Sequence, residues 1–403
     1  MLRFYQSYFY YLVLLVIEIE VINKPPIANN KIRIMKNLTR RIFLQNLGVG
    51  SSAVALALPS FANNLEHYEG KKLNIALCGL GRYAGYLAES FAESNYCHLA
   101  GLVTGTPSKA EEWGKKYNIP VKNIYNYQNF DEIAKNPDID LVYVVLPNSM
   151  HKEFVIRTAK AKKHVIVEKP MAITAKDCEE MITACKTAGV QLGMGYRLHY
   201  EPHHLEIKRL GQEKVFGQVR LIEVSLGYKT GTSVPKEWRL VKALSGGGPL
   251  MNLGVYCVQS CRYVLGEEPT AVTAQFGPIT DKEKYSEVEE SITWQLEFPS
   301  GAIATSTSTY NASIDRFYAA ADEGTFEMSP AVSYGPFRGK TSKGELNFPD
   351  INQQAAQLDG ICKVILDNQP LPSHIAGEEG LKDMKVLEAI YRAAKTSKRV
   401  LVG

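Results

Sequence analysis

Residues 73–84 read LNIALCGLGRYA. The mostly apolar run Leu73–Cys78 predicts a buried parallel strand. It passes directly into Gly79, Gly81 and Ala84 at the GxGxxA spacing, and the helix-forming residues YLAESFAES follow. The first glycine allows the tight turn. The second lets the backbone come close to a diphosphate, and the small third residue lets helix pack on strand. The helix then presents its unpaired N–H groups to the phosphates. Strand, turn and helix together predict a dinucleotide-binding Rossmann domain. Gly79, Gly81, Arg82, Tyr83 and Ala84 are its first cofactor-binding candidates.

The next strand, HLAGLVTG at 98–105, ends at Thr104 with no Asp or Glu to hold a ribose 2′-hydroxyl. Lys109 and Arg82 stand nearby in sequence, and a cation there attracts a 2′-phosphate that a carboxylate would repel. The expected cofactor is therefore NADP, with NAD as the alternative. The strand–helix rhythm continues through DLVYVVLP (140–147), HVIVEKP (164–170), a helix over 174–188 and QLGMGYR (191–197). Ligands bind beyond the carboxyl ends of such strands. Asn148, Glu168, Lys169, Tyr196 and Arg197 all fall there, so one site is expected at the end of a domain spanning 70–197.

The pattern changes after about residue 200. VRLIEVSLG (219–227), TAVTAQFG (270–277), ESITWQLEF (290–298), GAIATSTSTY (301–310), RFYAAAD (316–322) and GTFEMSP (324–330) read as strands with few helices between them. A mostly antiparallel sheet is expected, in an α+β domain spanning 198–403. Gly246-Gly247-Gly248 leads through Pro249 into one strong helix that stops at Gly266. Asn252 and Tyr256 are four apart on it and share a face. Helices are also expected over 353–367 and 378–396, with at least one packing back on the first domain.

Of the 46 Lys+Arg and 42 Asp+Glu, seven and two respectively fall in residues 1–62, so the excess positive charge belongs to the leader. The near-neutral body has no basic stripe, and nucleic acid is not an expected partner. Arg40-Arg41, the apolar run LGVGSSAVALALP and Ser60-Phe61-Ala62 come in the order of a twin-arginine export signal, its true start placed at Met35. The run is shorter than the ~20 residues a bilayer span needs. A periplasmic or otherwise exported protein is expected, with no stable membrane insertion once mature. The seven cysteines include no CxxC pair, and no disulfide framework is implied. His203-His204 has no companions at metal spacing, so no metal site is expected.

GLGRYA, LPNSMH, VEKPMA, GYRLHYEP, KEWRL and GGGPLMNLGVY, in this order and spacing, resemble the Gfo/Idh/MocA oxidoreductases over roughly residues 70–403. Within that family the likeness is greatest to the branch that couples oxidation of glucose to reduction of fructose. The resemblance implies tightly held NADP, an aldose oxidised at C1 to a lactone, a ketose reduced to a polyol, and a homodimer or homotetramer. By position it makes Lys169 and Tyr256 the catalytic pair. It sets Asn148 and Glu168 against the nicotinamide ribose, and Tyr196, Arg197, Trp238 and Arg239 around the sugar or cofactor. Asn252 stands where the family usually has Asp, and an amide cannot accept a proton as a carboxylate does. Removing a hydroxyl proton as hydride leaves calls for an acid/base group. A phenol beside an ammonium has its anion stabilised, so Tyr256 is expected to fill that role with Lys169 as its electrostatic partner. Two other functions fit the same pattern: a dehydrogenase exchanging free NAD(P), and an exported sugar-binding module without catalysis.

Overall fold

The computed structural model describes residues 70–230 and 237–403. The export signal expected within residues 1–62 lies outside them. Strand β1 (Leu73–Cys78) runs between β2 (Cys97–Val103) and β4 (Leu141–Val144). With β3 (Ile124–Tyr125), β5 (His164–Glu168) and β6 (Leu192–Gly195) they form an all-parallel sheet in the order 3-2-1-4-5-6. This is the doubly wound dinucleotide-binding order, whose crevice opens where the order reverses, between β1 and β4. β4 is buried at all four residues, as a strand covered on both faces must be.

Helices α1 (Arg82–Ser90), α2 (Pro107–Lys116), α3 (Asn148–Lys160) and α4 (Ala175–Ala188) make the crossovers. The ends of α4 are set locally. The Thr174 side chain accepts the Asp177 N–H at 3.1 Å, and Gly189 closes the helix at φ +70°.

The second half contains α5 (Pro202–Gln212), β7 (Val219–Gly227), the single turn α6 (Lys242–Ser245) and α7 (Val255–Leu265). Its remaining strands are β8 (Ala271–Phe276), β9 (Ser291–Glu297), β10 (Ile303–Thr309), β11 (Ile314–Ala321), β12 (Gly324–Met328), β13 (Gly339–Thr341) and β14 (Gly344–Leu346). With β15 (Val400–Leu401) they form a nine-stranded sheet in the order 14-13-12-11-7-10-9-8-15. Only the β7–β10 pair is parallel. β9 alternates strictly: Ile292, Trp294 and Leu296 are buried, and Thr293 and Gln295 are exposed. One face therefore carries the core and the other is polar.

Helix α8 (Gln353–Leu366) returns to the first sheet. Its Leu358, Ile361, Cys362 and Ile365 share a buried cluster with Ile75, Leu77 and Leu87. Asp359 fixes it in place. Its carboxylate accepts from the Ser94 hydroxyl at 2.5 Å, the Asn95 N–H at 2.9 Å, the Asn95 amide at 3.1 Å and the Tyr96 N–H at 3.2 Å. Asp359→Ala leaves these donors without their acceptor and is expected to cost about 2–4 kcal/mol in denaturant unfolding. A loss below about 0.5 kcal/mol would show that water replaces the carboxylate. Helix α9 (Gly377–Thr396) lies against α4 and β8. No helix among the described residues is long and apolar enough to cross a membrane.

Candidate active site

Gly79 sits at φ +101°, where a Cβ would stand 2.4 Å from the Val145 carbonyl oxygen, so the crossing of β1 and β4 demands glycine. Gly81 differs. Its backbone is extended, and a Cβ there would meet nothing within 4 Å. That open space faces a cleft of about 370 Å³, whose lining includes Gly79, Gly81, Arg82, Tyr83, Thr104 and Lys109. Ala84 is fully buried, holding α1 close to the sheet. A turn with free space above the second glycine, at the start of a nine-residue helix, fits a dinucleotide's diphosphate. Lys109 Nζ donates to the Leu80 carbonyl at 2.9 Å, which brings its charge onto the glycine turn beside Arg82. Among the described residues Glu168 is the one carboxylate lining the cleft, and it belongs to β5 rather than to the end of β2.

The same cleft is also lined by Asn148, Lys169, Trp238, Arg239, Asn252 and Tyr256. Glu168 is buried and accepts the Tyr143 hydroxyl at 2.6 Å; that hydroxyl in turn accepts from Gln357 of α8 at 2.6 Å. Asn148 donates to the Ser245 carbonyl at 2.8 Å, tying the start of α3 to the segment before the triple glycine. Arg239 pairs with Glu237 and lies over the Trp238 ring, 4.5 Å from its centroid.

The helix bearing Asn252 and Tyr256 begins as a widened π turn, Leu250–Gly254, a local form frequent at functional sites. Its start is capped by Glu289, which accepts the Gly248 N–H at 3.0 Å, the Leu250 N–H at 3.1 Å and the Tyr391 hydroxyl at 2.8 Å. Nothing in the local sequence marked Glu289, since it lies about 40 residues downstream of the turn it caps. Lys169 Nζ donates to the main-chain oxygen of Asn252 at 2.9 Å and lies over the Tyr256 ring, 4.0 Å from its centroid. The Asn252 amide stands 3.4 Å from the Tyr228 hydroxyl. The lysine's contact is thus with the backbone of residue 252, and an amide in place of a carboxylate leaves it intact.

Two expectations are corrected. Tyr196 does not reach the cleft. Its buried hydroxyl donates to Asp383 at 2.7 Å, alongside Gln259 and Arg262, because the chain turns inward after β6. Arg197 is not in the cleft lining either. It is buried behind Tyr256 and spends its guanidinium on the carbonyls of Val332 and Ser333 and on Gln353. Lys169 was expected to tune the Tyr256 hydroxyl. The ammonium faces the ring rather than the hydroxyl, and burial raises the phenol above its ordinary value despite the opposing pull of Arg197. Burial pulls Lys169 down, to about 7; Glu168 opposes this, while Arg197 and Arg239 add to it. His203 and His204 both contact Glu201, at 2.8 and 2.5 Å, and His199 stacks on Tyr263 with centroids 4.2 Å apart. Tyr334 lines the cleft although it was not singled out among 22 tyrosines.

Residues 73–196 match the Gfo/Idh/MocA family described as an oxidoreductase family with an NAD-binding Rossmann fold, and 204–327 match the C-terminal domain of that family. The D-xylose 1-dehydrogenase (NADP(+)) of Haloarcula marismortui is 27% identical, over 81% of this chain and 92% of its own. The trans-1,2-dihydrobenzene-1,2-diol dehydrogenase of Danio rerio is 31% identical, over 60% of this chain and 68% of its own. Among solved structures, the aldose-aldose oxidoreductase from Caulobacter crescentus, complexed with glycerol, superposes with a TM-score of 0.79 and 42% identity, covering 82% of this chain and all of that one. With the glycine turn, the crevice and most strands of the second sheet inside the matched residues 73–196 and 204–327, the chain belongs to the Gfo/Idh/MocA family of oxidoreductases and carries that family's NAD-binding Rossmann domain.

Proposed function

We propose that this protein is an NADP-dependent sugar oxidoreductase that oxidises an aldose at C1 to the lactone and returns the hydride to a second sugar carbonyl. One observation carries the reading. A half-buried lysine lies over a tyrosine ring, and both line the cleft that the glycine turn also lines. The pairing of Lys109 with the glycine turn, and the lack of an acid at the end of β2, support a 2′-phosphate and hence NADP. The sugar follows from the relatives that act on xylose and on aldoses.

When bound, the nicotinamide supplies the hydride acceptor. Proton movement falls to the side chains. Lys169, whose neutral form burial favours, takes the proton from the C1 hydroxyl as the C1–H bond breaks. Tyr256, whose raised pKa keeps it protonated near neutrality, donates a hydrogen bond to the same oxygen. In the second half-reaction the carbonyl carbon receives the hydride, and its oxygen receives the proton held by Lys169. The roles of the pair are thereby the reverse of the sequence expectation.

The test is turnover of purified protein with NADP and a panel of aldoses, with lactone measured alongside. No lactone from any aldose would end the proposal. Because the amine must be neutral to accept a proton, kcat/KM for oxidation should rise with pH and level off above the lysine's lowered pKa of about 7. A profile flat between about pH 6 and 8 would remove Lys169 as the base.

A further inference from the structure

The chain between β12 and β13 is an irregular loop whose backbone is held by side chains from three other elements. Asp315 of β11 accepts the N–H groups of Ala331 and Val332, both at 2.8 Å, and of Ser333 at 2.9 Å. The carbonyls of the same residues are also occupied. Ala331 accepts from His204 at 2.7 Å, Ser333 accepts from Arg197 at 3.2 Å, and Val332 accepts from the other arm of Arg197. Loops ordinarily leave such groups to water.

The next residue, Tyr334, is 53% exposed. Its ring lies 5.0 Å from that of Tyr86 and 4.6 Å from the Arg197 guanidinium, and it lines the same cleft as Lys169, Asn252 and Tyr256. Gly335 follows at φ +91°, which turns the chain away at once, and Phe337 is buried against His204. A tightly bonded arm therefore ends on a ring that contributes little to the core.

We propose that Tyr334 contacts the substrate, its ring being the wall on which the apolar C–H face of a cyclic sugar stacks while the sugar's hydroxyl edge meets Lys169 and Tyr256. This rests on the reading of the cleft as a sugar site. A pyranose presents C–H bonds on its ring faces and hydroxyls around its rim, so a flat aromatic wall opposite a polar corner suits it. The fixed loop places the ring before binding, so little ordering remains to oppose association.

Tyr334→Ala and Tyr334→Phe are compared with the unaltered protein in steady-state oxidation of a cyclic aldose. The affinity for NADP is measured separately by titration calorimetry. Tyr334→Ala should raise KM for the aldose about five- to tenfold, with kcat within about twofold and NADP affinity unchanged. Tyr334→Phe should stay near the parent, since the ring does the work. Asp315→Asn, which loosens the loop and leaves the ring, should raise KM in the same direction by a smaller factor. An unchanged KM in Tyr334→Ala overturns the proposal. So does a loss of NADP affinity that matches the rise in KM, which would make the ring a clasp on the nucleotide. If the unaltered protein oxidises no sugar, both this assignment and the sugar reading fall, whereas a KM failure in an active enzyme removes Tyr334 alone.

Discussion

Lys169→Met should lower kcat/KM for sugar oxidation about 10³- to 10⁴-fold, the upper part of the range carried by a positioned general base, while leaving NADP bound. Among the described residues its Nζ donates one hydrogen bond, to the Asn252 main-chain oxygen, and methionine keeps most of its apolar stem, so the fold should be little disturbed. Tyr256→Phe removes a hydrogen-bond donor rather than the base. It should cost less, about 10²-fold. The two variants, with thermal unfolding and nucleotide titration as controls, separate the roles. A Lys169→Met enzyme keeping more than a tenth of parental kcat/KM, or a Tyr256→Phe enzyme more impaired than Lys169→Met, would return the acid/base role to the phenol.

The two glycines of the turn should respond oppositely to substitution. At Gly81 the extended backbone suits any residue, and an added Cβ meets nothing within 4 Å. Gly81→Val should therefore unfold within about 2 °C of the parent. Its methyl groups occupy the space a diphosphate needs, and NADP affinity should fall about 100-fold or more. Gly79→Ala carries a positive φ and a Cβ 2.4 Å from the Val145 oxygen, so it should lose about 3–5 kcal/mol of stability even without nucleotide. Retention of tight NADP binding by a folded Gly81→Val protein would place the diphosphate elsewhere.

The first domain was readable because its signals are local. LNIALC and GLGRYA lie side by side in the chain, and each later strand announces the next loop at the same edge of the sheet. The six long strands of the second domain were readable for the same reason. β13, β14 and β15, of three, three and two residues, were not; their hydrogen bonds come from partners brought by the fold. Lys169, Asn252 and Tyr256 were singled out by motif and do meet in the cleft. Tyr196 and Arg197, chosen by the same rule, do not, since a residue's place after a strand does not fix which way its side chain points.

What the sequence by itself determined is the parallel dinucleotide-binding domain, the antiparallel sheet after it, and the residue types at the cleft. Glycine spacing and hydrophobic period are properties of neighbouring residues. Only the tertiary structure decided that Lys169 lies over the Tyr256 ring and bonds a backbone oxygen, that Glu289 and Tyr391 cap the site helix, and that Asp315 and Arg197 hold Tyr334 at the cleft. These contacts join residues 17 to 137 positions apart. Their burial and electrostatics depend on how the two sheets and the returning helix α8 pack, which no local pattern encodes.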